Sequence, residues 1–201
     1  MTTVQKHRST IVRQRQIIDA ARKLIIRRGS EHITVREIAK TVGISEGAIY
    51  RHFKSKEEIL SSLADRIEEN WLGDITRVSG DGGSSLEALD KVLRSHASAI
   101  EQRGGVSFQV IAEIISLGDK KLNKKVYDIL SKYVGRLKDL LAEGVKSGEV
   151  RQDIDLEAAA LLFFGMVQGL VNIWALSNYS FNLEEKYEPL WYMFRESIIK
   201  R

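Results

Sequence analysis

The chain has 201 residues, 43% hydrophobic and 29% charged, the composition of a globular protein long enough to bury a core without covalent staples. It has no Cys, which excludes disulfides, thiolate zinc sites and Cys nucleophiles together, and its single Pro points to long helices. The net charge of +4 is unevenly spread: residues 1–56 carry 13 Lys or Arg against Asp19, Glu31, Glu37 and Glu46, a net +9, and residues 57–201 carry −5. A basic head on a mildly acidic body fits a chain that meets a polyanion at one end, with nucleic acid and an anionic membrane surface both open.

Arg13 to Arg28 reads as an amphipathic helix, with Ile17, Ala21, Leu24 and Ile25 on one face and Gly29 closing it. The N-terminus is charged and its apolar run Ile17-Ile18 is two residues long, which is not signal-peptide form, so a cytoplasmic location is expected. Thr34-Val35-Arg36-Glu37 is a capping box with Ile33 and Ile38 as a staple, predicting a short helix from Val35 that stops at Gly43. Ser45 caps a second short helix through Tyr50 to Phe53. Ser55-Lys56-Glu57-Glu58 is another capping box, opening a longer helix with Ile59, Leu63, Ile67, Trp71 and Ile75 on one face.

Ser79-Gly80-Asp81-Gly82-Gly83-Ser84 reads as a linker, after which Ser84 and Glu87 cap a helix striped by Leu86, Leu89, Leu93, His96 and Ile100 and ended by Gly104-Gly105. Val106 to Leu117 is a short apolar helix, Asp119 begins a long one reaching Gly148, and Asp155 begins a very apolar segment. Asn182 and Glu185 cap the last helix, where Pro189 predicts a kink or a restart. Sustained period-2 alternation is absent, so the expected class is all-α with about nine helices.

Two capped short helices joined by a Gly turn and preceded by a longer helix are the layout of a helix-turn-helix. Ser45, Glu46 and Gly47 keep the start of its second helix polar and low, as entry into a major groove requires. The run Thr34-Val35-Arg36-Glu37-Ile38-Ala39, then Gly43-Ile44-Ser45-Glu46-Gly47-Ala48-Ile49-Tyr50-Arg51-His52-Phe53-Lys54-Ser55-Lys56-Glu57-Glu58, closely resembles the N-terminal domain of TetR-type transcriptional regulators, from about Ile17 to Leu60 without a gap. Gly148 to Asp155 is similar to the turn that often precedes that family's dimerisation helix.

The resemblance implies a three-helix DNA-binding domain at 1–56 and a helical effector-binding and dimerisation domain at 57–201. It implies that Thr34 caps the first short helix and faces a phosphate and that Arg36 lies on that helix's exposed side. Ser45, Glu46, Gly47 and Ala48 would present the reading surface, Tyr50, His52, Lys54 and Lys56 would contact the backbone, and Arg51 would share that DNA-facing surface. No Arg or Asn precedes Arg51 in the recognition helix, so the operator sequence stays open.

Gly43-Ile44-Ser45-Glu46-Gly47 also matches a nucleophile elbow, but that motif needs a preceding strand where a capped helix is expected. The four His, at 7, 32, 52 and 96, give no adjacent metal pair, so no catalytic residue, metal or cofactor is expected. Ala158 to Leu176 is 19 uncharged residues, long enough to cross a membrane. Gln168, Asn172 and the acidic flank of Asp153, Asp155 and Glu157 favour instead a helix buried nearly all round and no membrane partner. Such a helix needs neighbours on every face, which predicts a homodimer interface through Phe164, Gly165, Gln168, Gly169, Trp191 and Phe194.

The resemblance further implies that the body binds a small effector. Trp71, Phe108, Tyr127, Gln168, Asn172 and Trp174, with His96, are candidates to line an apolar pocket for an acyl chain, an acyl thioester or a lipophilic compound. His96 also fits a hydrogen-bonded core residue, and Glu113, among Ile111, Ala112, Ile114 and Ile115, is expected on an exposed face. The expected protein is a homodimeric repressor that binds double-stranded operator DNA and is released by a hydrophobic effector. A ligand-independent DNA-binding regulator and a helical membrane-surface or lipid-binding protein are the alternatives.

Overall fold

The computed structural model describes residues 3–28, 33–79, 83–102 and 105–200; the expected helix end at Gly29, the linker centre Gly80-Asp81-Gly82 and Gly104 lie outside them. Nine α-helices and no strand form among the described residues. Packing groups the chain into two compact units, Met1–Ile67 with Gln109–Val126 and Glu68–Phe108 with Tyr127–Arg201.

The first unit holds α1 (Thr3–Arg28), α2 (Val35–Val42), α3 (Glu46–Tyr50), the start of α4 (Lys56–Ser79), most of α6 (Val106–Leu117) and the start of α7 (Lys120–Ser147). Helix α1 begins earlier than Arg13, because Ile17, Ile18, Ala21, Leu24 and Ile25 mark only its buried stretch. The Glu37 amide donates to Thr34 Oγ1 at 3.2 Å, and the Thr34 amide and hydroxyl both donate to the Glu37 carboxylate at 3.0 Å, so the capping box at the start of α2 is complete. Gly43 ends α2 at φ +76°, a left-handed backbone that an L side chain would strain. Ser45 Oγ accepts the Ala48 amide at 3.2 Å and starts α3. The box expected at α4 is half formed: the Glu58 amide donates to Ser55 Oγ at 3.4 Å, but the Glu58 carboxylate accepts the Lys54 amide instead of the Ser55 amide. Lys54 lies in the turn before the helix, where its amide needs an acceptor.

The second unit holds the rest of α4, α6 and α7 with α5 (Ser85–Gln102), α8 (Leu156–Leu176) and α9 (Leu183–Ile198), α9 packing on both α5 and α8. Helix α5 is capped partly from a distance: the Ser84 hydroxyl and, at 3.2 Å, the Leu86 amide donate to the Glu149 carboxylate. These bonds, Ser84 first, hold the Glu149 carboxyl below its ordinary range. Next to Glu149, Val150 pairs with Ile199 in one antiparallel bridge, with Arg151 N–H on the Ile198 carbonyl at 2.9 Å.

Two expectations are corrected in this unit, those for Pro189 and Phe194. Within one chain helix α8 is covered on one face: Ala160, Phe163, Val167 and Val171 are buried, and Leu161, Leu162, Ile173 and Leu176, 52–85% exposed, form the side that the expected second subunit would cover. Helix α9 runs unbroken through Pro189, which is exposed, so water can solvate the Glu185 carbonyl that loses its partner. Phe194, expected at a subunit interface, is buried within the chain with its ring edge-on to Phe163 at 5.2 Å. Trp191 is half-buried beside Phe194, and the exposed apolar residues of α9 are Tyr192 and Met193.

Candidate functional site

The surface of the two short helices is polar above an apolar floor. Ile38, Ile49 and Phe53 are buried, while Thr34, Arg36, Ser45, Glu46, Gly47, Tyr50, Arg51 and Lys54 are exposed. Ala48 and His52 are half-buried, and the Gln14 side chain donates to the His52 carbonyl at 3.5 Å, tying α1 to the end of α3. Gly47 is not required by its backbone: a Cβ there would meet nothing nearer than Ser45 Oγ at 4.0 Å, and its φ is ordinary. Its missing side chain therefore leaves room on the outer surface. Tyr50, 51% exposed, carries its hydroxyl one turn after Gly47.

Lys56 differs from the other cations of this surface. Its ammonium donates to Glu113 Oε1 at 2.8 Å, and the side chains are 16% and 1% exposed. Glu113 is thus a fully buried carboxylate, not the solvent-facing residue expected from its apolar neighbours. Sequence reasoning missed the pair because 57 positions separate its members; one acid inside an apolar run was the available signal. Beside it, the Ser55 hydroxyl holds the Glu57 carboxyl below its ordinary range, opposed by the nearby Asp119 carboxylate.

In the second unit the candidates for an effector site divide. Trp71, His96 and Phe108 come together, with ring centroids 5.4 Å apart for Trp71–His96 and 5.9 Å for Trp71–Phe108. Tyr133 and Phe164 join them, at 5.3 and 6.1 Å from Trp71. His96 Nδ1 and the Tyr133 hydroxyl are hydrogen-bonded at 3.0 Å, and burial pushes the Tyr133 hydroxyl pKa far up, keeping it protonated. A small cleft of about 10 Å³ beside this cluster is lined by Trp71, Asp74, His96, Ile100, Gly105 and Ser107. Of the other candidates, Tyr127, Gln168 and Asn172 lie elsewhere, whereas Trp174 packs against the cleft residue Gly105, where a Cβ would stand 3.6 Å from its Cζ3. Tyr127 is 69% exposed, and Gln168 donates to Asn172 at 3.1 Å on the outer side of α8. Trp174 is buried, with its Nε1 donating to the Phe181 carbonyl at 2.8 Å. The helical period explains the split: on α8, Phe163, Val167, Val171 and Trp174 turn inward, so Gln168 and Asn172 cannot.

Residues 17–63 match the family described as bacterial regulatory proteins, tetR family, and residues 63–196 match the C-terminal region of YsiA-like protein. The chain is 29% identical over 169 residues to the fatty acid metabolism regulator protein of Bacillus subtilis (strain 168), covering 84% of this chain and 86% of that protein. It is 25% identical over 187 residues to the nucleoid occlusion factor SlmA of Vibrio atlanticus (strain LGP32), covering 92% and 95%. Among solved structures, it superposes on the transcriptional regulator FadR from Bacillus subtilis in complex with stearoyl-CoA with a TM-score of 0.77 and 28% identity, covering 89% of this chain and 96% of that one. With its helix-turn-helix matched at one end and its body matched over most of the remainder, the chain belongs to the tetR family of bacterial regulatory proteins and is a DNA-binding, ligand-responsive transcriptional regulator.

Proposed function

We propose that the protein is a cytoplasmic, non-enzymatic homodimeric repressor that binds a near-palindromic operator through two copies of the α2–α3 surface and leaves it when a long-chain acyl thioester binds the body. The observation that carries the DNA half is the exposed polar surface around Gly47, a glycine whose backbone makes no demand for it. Thr34, Tyr50, His52, Lys54 and Lys56 then supply phosphate contacts, while Ser45 to Ala48 face the base edges. The exposed apolar faces of α8 and α9, with Leu161, Leu162, Ile173, Tyr192 and Met193, suit the twofold interface.

The acyl thioester is inferred from the stearoyl-CoA held by the FadR relative and from the apolar ring cluster here. The cleft, about 10 Å³, is far smaller than the roughly 300–1,000 Å³ of ordinary ligand pockets, so an acyl chain must part the rings of Trp71, Phe108 and Phe164 to enter. Trp71 and Lys56 sit on the same helix, α4, so a shift of that helix reaches both the ligand cluster and the DNA-facing surface. The experiment is a genome-wide DNA-binding selection with purified protein, repeated with stearoyl-CoA. It should return paired half-sites that are lost on adding the thioester, and Tyr50→Ala with Lys54→Ala should weaken binding about equally at all sequences. A specific footprint indifferent to any acyl thioester would leave a ligand-independent regulator, and liposome flotation without a footprint would refute the DNA reading.

A further inference from the structure

We infer that the first turn of α7 is a second DNA-backbone contact, with Lys120 and Lys121 reaching phosphates beside those met by the helix-turn-helix; this rests on the DNA-binding reading above. The segment Gln109–Val126 packs into the same compact unit as α1 to α3, although it lies far along the chain. Its register against α4 is set by two contacts. Glu113 takes the ammonium of Lys56 at the start of α4, and Lys125 reaches Asp65 at 2.6 Å and Ser61 Oγ at 2.7 Å further along it. Asp119, just before α7, lies close enough to Glu57 for their charges to oppose. Both helices rise about 1.5 Å per residue. Helix α7 therefore runs alongside α4 in the same direction, and its first turn is level with the start of α4, at Lys56 and just after Lys54.

Lys120 and Lys121 are both exposed there. The helix gives no reason for them: cations in a first turn oppose the macrodipole, and the amides of Lys121 and Leu122 are already satisfied by Asp119, at 3.0 and 2.8 Å. Their effect is on the surface. Lys120, Lys121, Lys124 and Lys125 against Glu113 and Asp119 add +2, which raises the first unit to +9 and leaves the second at −5. Duplex DNA carries a negative charge every ~1.7 Å along its axis, so a protein seated in a groove leaves flanking phosphates within reach of further lysines.

The test is the salt dependence of operator binding by full-length protein carrying Lys120→Gln and Lys121→Gln, compared with Lys146→Gln and Lys186→Gln, which remove the same charge from exposed positions in the second unit. The first pair should weaken binding by about tenfold or more at low salt and lower the log–log slope by about 0.9 for each phosphate no longer neutralised; the second should not. Equal slopes for the two pairs, or an unchanged slope, would overturn the inference. So would a first pair that alters only the stearoyl-CoA concentration needed for release, because the lysines would then serve the effector's phosphates. If Tyr50→Ala also leaves binding unchanged, the fault lies in the DNA reading itself.

Discussion

Lys56 answers to two anions. In the absence of DNA its ammonium is held by the buried Glu113 carboxylate, and in the proposed complex the same ammonium would be drawn toward a phosphate. Truncating one member of a buried pair strands the other, so Lys56→Ala should cost about 2–4 kcal/mol of stability in addition to any loss of DNA affinity. Glu113→Gln, which keeps shape and hydrogen bonding, should cost less. The two roles separate in the double variant Lys56→Met with Glu113→Leu, since replacing a buried ion pair by apolar residues is often neutral. Denaturant unfolding should show stability near the parent while operator titration shows weakened binding. Parent-like binding by a stable double variant would reduce Lys56 to a structural residue. Neither partner was predictable from its own neighbourhood: Ser55-Lys56-Glu57-Glu58 reads as a cap, and Glu113 reads as an acid in an apolar run.

Helix ends were the most legible features because their causes are local. The Thr34–Glu37 box, the Ser45 cap and the left-handed Gly43 each act within four residues, so composition places α2 and α3 without knowledge of any partner. Long-range caps escape that logic. The start of α5 depends on Glu149, 65 positions from Ser84, and the same corner contains Gly144, whose role also comes from a distant neighbour. A Cβ on Gly144 would stand 2.6 Å from Val150 Cγ2 and 3.2 Å from Ser85 Cβ, although alanine is the better helix former. Gly144→Ala should therefore destabilise the fold by about 1–3 kcal/mol and lower Tm by several degrees, despite its gain in propensity. A rise in Tm would mean that the α5 corner yields freely.

At the scale of the molecule, charge follows compactness and not chain order. Residues 1–56 and the first compact unit both carry +9, but with different members. Glu57, Glu58 and Asp65 lower the charge of the unit, and the lysines at the start of α7 restore it. Helices α8 and α9 carry half of the exposed large apolar residues, with Leu162 and Ile173 56% and 60% exposed. Leu162→Glu with Ile173→Glu should leave a folded chain, because neither side chain belongs to its core, yet give a monomer by light scattering at micromolar concentration and binding to full operators weakened by about 100-fold or more. A dimer persisting in that variant would place the twofold contact elsewhere.

By itself the sequence determined the helical class, the order of the helices, the caps and the recognition motif, since hydrophobic period and capping chemistry act over one or two turns. Tertiary structure decided which sides of those helices are covered. It put Glu113 and Phe194 inside, left one side of α8 in water, gathered Trp71, His96, Phe108, Tyr133 and Phe164 into one cluster, and brought the lysines of α7 into the basic unit. A helical pattern records where apolar residues lie on a helix. Which neighbour, or which second subunit, covers them is a matter of contacts between residues far apart in the chain, and no local spacing encodes it.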